Sequence, residues 1–347
     1  MILVRKIVKR FVPERYEKLY AFDKRSKMIA REYEAQKTKN GDENIQFYNW
    51  WNASYQSLWL YRFVRNCNLL DNSLKTIRFC SVFGSRELLR LVPADVKVFF
   101  MGENSHNPYW ADYSDVLLGD STCNLALGFD CFEDERYMRF PLWLTYVFEP
   151  EIDSEKIADR CAQLRYPVSD ERDRFAALIS RVDVLGLRKD IYKALVPIGQ
   201  IDCPSQVLHN DDTLATKYND NKLDYLRNYA FNICPENSNS YGYVTEKVFE
   251  SIAAGCIPIY WGSYNTPEVK VLNQEAIVLW NQTDGGENAV RKVSELWSNP
   301  KILHEFMMQP RLVATAEEEI ETMLVGLRDR LKVLIEPKIR NYHPIHD

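Results

Sequence analysis

Along the second half of the chain, short unbroken apolar runs alternate with segments in which apolar residues recur every three or four positions. "FAALISRV" (175–182), "YAFNIC" (229–234), "CIPIYWG" (256–262) and "EAIVLW" (275–280) are of the first kind. "LRKDIYKAL" (187–195) and "TEKVFESIAAG" (245–255) are of the second, with Val248, Phe249 and Ile252 at helical spacing and Gly255 where a C-cap glycine belongs. From Glu287 onward the pattern is helical almost to the end, broken at Pro300 and Pro310. Continuous apolar strands interleaved with helices predict a parallel sheet covered on both faces.

The first half carries a weaker version of the same pattern. A charged segment, Lys24–Asn44, precedes an aromatic-rich strand in "NIQFYNWW". "TIRFCSVFG" (76–84), "SRELLRLV" and "VKVFFMGE" (96–103) read as strand, short helix, strand. Loops and short elements are expected to about Phe140, then an apolar helix or strand in "PLWLTYVFE". Between Ile152 and Asp173 charge rises and hydrophobicity falls, as in a connection between domains. The expected organisation is an α/β protein of two Rossmann-like domains facing a cleft, residues 1–155 and 156–325, with a C-terminal helix or tail over 326–347.

Composition narrows the possibilities. A chain of 347 residues with 46% apolar content can build two cores, and a net charge of −5 disfavours a nucleic-acid binder acting through bulk electrostatics. The eight cysteines are scattered with no C-x-x-C pair, which suits a reduced compartment, and the five histidines have no metal-ligand spacing. No stretch approaches the ~20 apolar residues of a membrane span. "MILVRKIVKRFV" at the N-terminus is too interrupted by charge for a signal peptide. Its apolar positions 4, 7, 8 and 11 fit a helix packed on the fold or lying on an anionic membrane. A cytoplasmic location, with peripheral membrane contact through this segment, is the expectation. Two glycosylation patterns, at Asn52 and Asn281, come with no secretory signal.

The chemistry concentrates in "PENSNSYGYVTEKVFESIAAGCIPIYWGS" (235–263), the loop that leaves one expected strand and opens a helix. Lys247 sits at the start of that helix, where like charge against the dipole costs ~0.3–1 kcal/mol. It reads either as a solvated lysine paired with Glu250 or as the partner of an anion bound at the helix N-terminus. The loop is neither a Walker A sequence nor a dinucleotide fingerprint, since Gly242 stands alone. In "FFMGEN", Glu103 follows an apolar strand and a glycine, at the mouth of the first sheet. Partial burial there would raise its pKa, as a general base requires, whereas pairing with Arg136 or Arg139 would make it structural. Asp-x-Asp occurs nowhere, so a bound diphosphate would be neutralised by Lys247 and an arginine such as Arg188 rather than by a metal held between paired aspartates.

The 235–263 stretch closely resembles the signature of the α-1,3/4-fucosyltransferases, glycosyltransferase family 10. "VFFMGEN", "LALGFD" and "DERYMRFPLW" are similar to that family's other landmarks, in the same order. The resemblance implies a GT-B fold, GDP-β-L-fucose on the C-terminal domain, an oligosaccharide acceptor on the N-terminal one, inversion at the fucose anomeric carbon, and no obligatory metal or cofactor, a divalent ion at most stimulating. It places the general base on Glu103, a charge-stabilising fucose contact on Glu246, the diphosphate lysine on Lys247, and donor contacts on Asn237 and Tyr243. Through R-x-x-x-Y-x-x-L it places the diphosphate arginine on Arg188. Family members carry a Ser-Asn pair just upstream where this chain reads "LISRVDVLGLR", so Arg181 stands as a substitute.

Two further readings stay open beside a fucosyltransferase acting at O3 of GlcNAc or glucose. One is a GT-B enzyme using another nucleotide sugar; the other is a glycan-binding module without catalysis. "FYNWWNASYQSLWLY" (47–61), with seven aromatic residues, fits either core packing or a platform for the acceptor sugar.

Overall fold

The structure, a computed structural model, describes residues 13–336 except 42, 52, 53, 72, 118–121, 168, 170 and 171. The basic N-terminal stretch and the sequon at Asn52 lie outside the described residues. Two five-stranded, all-parallel sheets form the frame. The first holds β1 (Ile45–Tyr48), β2 (Ile77–Cys80), β3 (Val96–Phe100), β4 (Leu125–Gly128) and β5 (Tyr137–Arg139), ordered as in the chain. The second holds β6 (Arg174–Ala177), β7 (Ile201–Asp202), β8 (Tyr229–Ile233), β9 (Ile257–Tyr260) and β10 (Val278–Leu279), ordered β7-β6-β8-β9-β10.

Both faces of each strand are covered, which is why the strands read as runs rather than alternations. In the first sheet Phe47, Phe79, Val98 and Leu125 enter one core, while Tyr48, Cys80, Phe99 and Ala126 enter the other. β4 and β5 are among the short elements expected before Phe140. The charged segment before β1 is mostly helix, the end of Pro13–Asn40. It docks through Ile29, through Tyr33 against Tyr48, and through Asn40, whose side chain bonds both the N–H and the carbonyl of Phe47.

The expected connection over 152–173 is largely a helix, Ser154–Arg165, capped by Asp153. Its charges mark the solvent face; Ile157, Cys161 and Leu164 join the first core. The last helix, Ala316–Ile335, runs unbroken through position 325 and returns to that same core with Ile320, Leu324, Leu327 and Leu331. Lys75 Nζ donates to the Leu334 carbonyl at 3.0 Å. Among the described residues no helix is long and apolar enough to cross a membrane.

The two halves also share side chains. Val244, Val248 and Phe249, from the helix Glu246–Ala253 and the residues before it, lie in the first core, and Phe249 stacks on Trp143 at 4.4 Å. A helix of the second sheet is thereby seated on the first.

Because Leu327 is fully buried under the first sheet, Leu327→Ala should destabilise the protein by about 2–5 kcal/mol. Urea unfolding followed by circular dichroism measures it. A loss of a few tenths of a kcal/mol would mean that the last helix is only loosely docked.

Candidate active site

Strand order in the second sheet reverses between β6 and β8, since β7 lies outside β6 and the later strands continue beyond β8. Loops leaving the carboxyl ends of strands diverge at such a switch point and leave a crevice there. The loop after β6 leads into the helix Leu187–Leu195, whose first N–H groups Asp183 accepts through Arg188 N and Lys189 N. That fixes Arg188 in the crevice. Its guanidinium is buried and donates to the Pro235 carbonyl at 2.8 Å and to Asn237 Oδ1 at 3.0 Å. Arg181, on the same loop, is exposed to solvent.

The loop after β8 carries the other cation. Lys247 Nζ donates to Glu236 Oε2 at 3.0 Å and to Thr245 Oγ1 at 2.7 Å, and lies 3.6 Å from Glu246. Burial alone would depress the lysine pKa, but Glu236 and Glu246 hold it above the ordinary value. Glu250, the expected alternative partner, pairs with Lys222 instead. Glu236 itself is buried and accepts four hydrogen bonds: from Lys247, from Thr245 N and Oγ1 at 2.8 and 2.7 Å, and from the Tyr260 hydroxyl at 3.4 Å. Gly262 leaves room for it, since a Cβ there would lie 2.7 Å from Glu236 Cγ. Burial raises the Glu246 pKa, yet Lys247, the residue's own backbone N–H and Lys222 bring it net below the usual carboxylate value. Arg188, Lys222, Pro235, Glu246 and Lys247 line one cleft.

The first sheet supplies the opposite wall. Glu103 leaves the end of β3 and is held there without either expected arginine: Arg136 pairs with Asp134 and Arg139 with Glu268. Burial raises its pKa, Lys247 opposes, and Glu246 and Glu236 raise it further. The carboxylate thus lies within electrostatic reach of the second sheet's loop. The next residue ties the walls together, because Asn104 Nδ2 donates to Ser238 Oγ at 2.8 Å and Ser240 Oγ at 2.9 Å. Gly242, at φ +79°, comes so close to the first half that a Cβ would sit 3.0 Å from the Phe129 carbonyl. Tyr243 is buried edge-on against Phe129, its hydroxyl pKa pushed well up by burial and by Glu236, Glu103 and Glu246. Tyr146 reaches the same charges from the short helix Leu144–Val147.

Two family models match this chain in succession. Residues 45–146 match the N-terminal domain of α-(1,3)-fucosyltransferase FucT, and residues 168–311 the C-terminal part of glycosyltransferase family 10, the fucosyltransferases. The chain belongs to glycosyltransferase family 10. It is 30% identical over 251 residues to α-(1,3)-fucosyltransferase FucT of Helicobacter pylori, covering 64% of this chain and 48% of that one. It is 29% identical over 137 residues to α-(1,3)-fucosyltransferase B of Drosophila melanogaster, covering 37% of this chain and 31% of that one. The chain therefore spans about half the length, or less, of these curated relatives. Its fold is that of a solved α1,3-fucosyltransferase, with a TM-score of 0.57 at 21% identity over 82% of this chain and 89% of the other. The same enzyme type solved with GDP-fucose superposes at 0.53, over 83% and 89%. This is the GT-B arrangement of two α/β domains.

Of the six residues singled out in this family-10 chain, Arg188, Glu246 and Lys247 line the cleft and Asn237 bonds Arg188, while Glu103 from the first half and the buried Tyr243 are coupled to the same charges electrostatically. Sequence reasoning missed Glu236, Asn104 and Tyr146 as members of the same cluster. Glu236 could have been found by asking what neutralises a lysine placed beside a helix N-terminus, as it lies in the same loop.

Replacing Glu236 by Gln leaves Lys247 short of its buried counter-charge. The expected cost is about 3–5 kcal/mol in urea unfolding. The double variant Glu236→Gln/Lys247→Met should recover much of it, giving a coupling energy well away from zero in the cycle. Additive losses would mean that the pair is not energetically linked.

Proposed function

We propose that this chain transfers L-fucose from GDP-β-L-fucose to a hydroxyl of an oligosaccharide, at O3 of GlcNAc or glucose, with inversion to an α-fucoside. The observation that supports the reading is a cleft at a topological switch point lined by two cations, Lys247 and Arg188, against whose loop Asn104 is tied, with the adjacent Glu103, its pKa raised, coupled electrostatically to Lys247.

In this reading the acceptor hydroxyl oxygen attacks the fucose anomeric carbon from the side opposite GDP. Glu103 takes the hydroxyl proton as the new C–O bond forms. The bond from the anomeric carbon to the β-phosphate oxygen breaks, and its electron pair leaves with GDP. Lys247, Arg188 and the positive end of the helix Glu246–Ala253 stabilise that charge. Glu246, kept ionised, faces the oxocarbenium character of the sugar. Asn237 holds Arg188 in place, and Tyr243 offers a neutral hydroxyl to the donor. The protein's own cations do the work that a metal does between paired aspartates, so no divalent ion is needed. The half built on the first sheet takes the acceptor and the half built on the second sheet the donor.

GDP release from GDP-fucose, with N-acetyllactosamine, lacto-N-biose or lactose as acceptor, tests the reading. Acceptor-dependent release should survive EDTA. Glu103→Gln should lower kcat about 10²–10⁴-fold while GDP affinity is kept. GDP release that EDTA abolishes, or a fully active Glu103→Gln, would overturn the corresponding part.

The pH dependence has a definite sign. A base must be deprotonated to act, so kcat/KM should rise with pH through the Glu103 pKa. Because burial and the neighbouring carboxylates raise that pKa, the acid limb should lie above the ordinary glutamate value of about 4.3. A profile flat down to pH ~4 would exclude Glu103 as the base.

A further inference from the structure

We propose that Trp51, Phe83, Tyr109 and Trp110 form a stacking surface for the pyranose rings of the oligosaccharide acceptor. The proposal deepens the reading above and rests on it for the identity of the occupant. The four rings come from three separate loops, those leaving the carboxyl ends of β1, β2 and β3. They touch in sequence: Trp51 meets Phe83 edge-on at 5.5 Å, Phe83 meets Trp110 at 5.9 Å, and Trp110 meets Tyr109 at 4.6 Å. Behind them Trp51 leans on Trp50 at 4.9 Å, so one end of the strip is anchored in the core.

The strip is not itself core. Phe83 is 42% exposed and Tyr109 79% exposed, and Trp51 and Trp110 are only partly buried. Exposed aromatic rings joined across three loops offer a surface to a ligand, and the position says which. β2 and β3 are neighbours, and the loop that carries Tyr109 and Trp110 is the one that opens with Glu103. A sugar whose hydroxyl is delivered to Glu103 therefore has its remaining rings on this rim. A pyranose presents a face of C–H groups, which packs on the face of an aromatic ring, with hydroxyls left at the edge for water or polar side chains. The reading enlarges the platform considered for residues 47–61: of that segment Phe47 and Tyr48 are core, and Trp51 alone joins the strip, completed by residues 83, 109 and 110.

The test uses Phe83→Ala and Tyr109→Ala, whose exposure makes a folding defect improbable, with Phe83→Trp as the conservative variant. Titration of the GDP-bound protein with N-acetyllactosamine, lacto-N-biose and lactose, followed by tryptophan fluorescence, reads Trp51 and Trp110 without requiring turnover. Wild type should respond, and each alanine variant should weaken saccharide affinity and raise acceptor KM about three- to tenfold. GDP affinity should stay within about twofold of wild type, and Phe83→Trp should restore binding. Turnover with unchanged KM in both alanine variants would overturn the strip while leaving the transferase reading intact. Saccharide binding lost in the variants, but with no GDP release by wild type, would support the strip and sink the transfer reaction. A fluorescence response to octanol and to no saccharide would assign the rings to an apolar partner and overturn the proposal.

Discussion

The ion pair between Lys247 and Glu236 is the constraint around which the cleft is built. Two charges removed from water need excellent geometry and extra hydrogen bonds to break even. Glu236 obtains these from Thr245 and Tyr260, and Lys247 from Thr245. Satisfying them fixes the start of the helix Glu246–Ala253, whose far end closes with Gly255 N–H and Cys256 N–H on Ile252 and Ser251 carbonyls. An apolar pair of the same volume would hold the helix as well. It would not leave an ammonium group at the start of a helix.

Everything else in the second half serves that placement. Asp183 caps the helix that carries Arg188, and the Pro235 carbonyl and Asn237 receive the guanidinium, so both cations are gripped by residues 235–237 or their immediate neighbours. After β9, Ser263, Tyr264 and Asn265 adopt left-handed backbone angles in succession, a conformation that non-glycine residues hold only when their surroundings compel it. Here the surroundings are the same loop: Ser263 Oγ accepts from Gly242 N, and Tyr264 N donates to Asn239. Phe249 on Trp143 and Asn104 on Ser238 and Ser240 then set this loop against the first sheet.

The second half was legible in the sequence because a doubly wound parallel sheet writes each strand as an unbroken apolar run. β8, β9 and the helix between them stand where "YAFNIC", "CIPIYWG" and "TEKVFESIAAG" put them. The first half was less so. β4 and β5 are only four and three residues long, too short to leave a period, and Pro13–Asn40 is so charged all round that it shows no apolar stripe. The same blindness turned the helix Ser154–Arg165 into a linker, since its five charged residues outnumber the three buried residues that dock it. In the site, residues within one motif were readable and their partners were not. Glu236 has no chemistry until Lys247 is seen beside it, and Phe83 and Trp110 become neighbours only when β2 and β3 do.

On the proposed reading, the charge balance of the cleft accounts for a carboxylate as base in a site that takes an anion. Glu103, Glu236, Glu246 and Glu250 lie about Lys247, Arg188 and Lys222, so when all are ionised the carboxylates outnumber the cations. A cleft so balanced does not trap a diphosphate irreversibly. On the proposed reading it would meet the phosphates with two fixed cations while the surrounding carboxylates limit the affinity, which would favour departure of the product nucleotide. The donor's own negative charge would act on Glu103 in the same sense as Glu246 and Glu236 already do, strengthening its hold on a proton. A carboxylate that is weakly basic in water thus becomes a better acceptor of the hydroxyl proton at the moment the donor is bound. On the proposed reading, the proton affinity of Glu103 would in this way be coupled through charge to occupancy of the opposite wall.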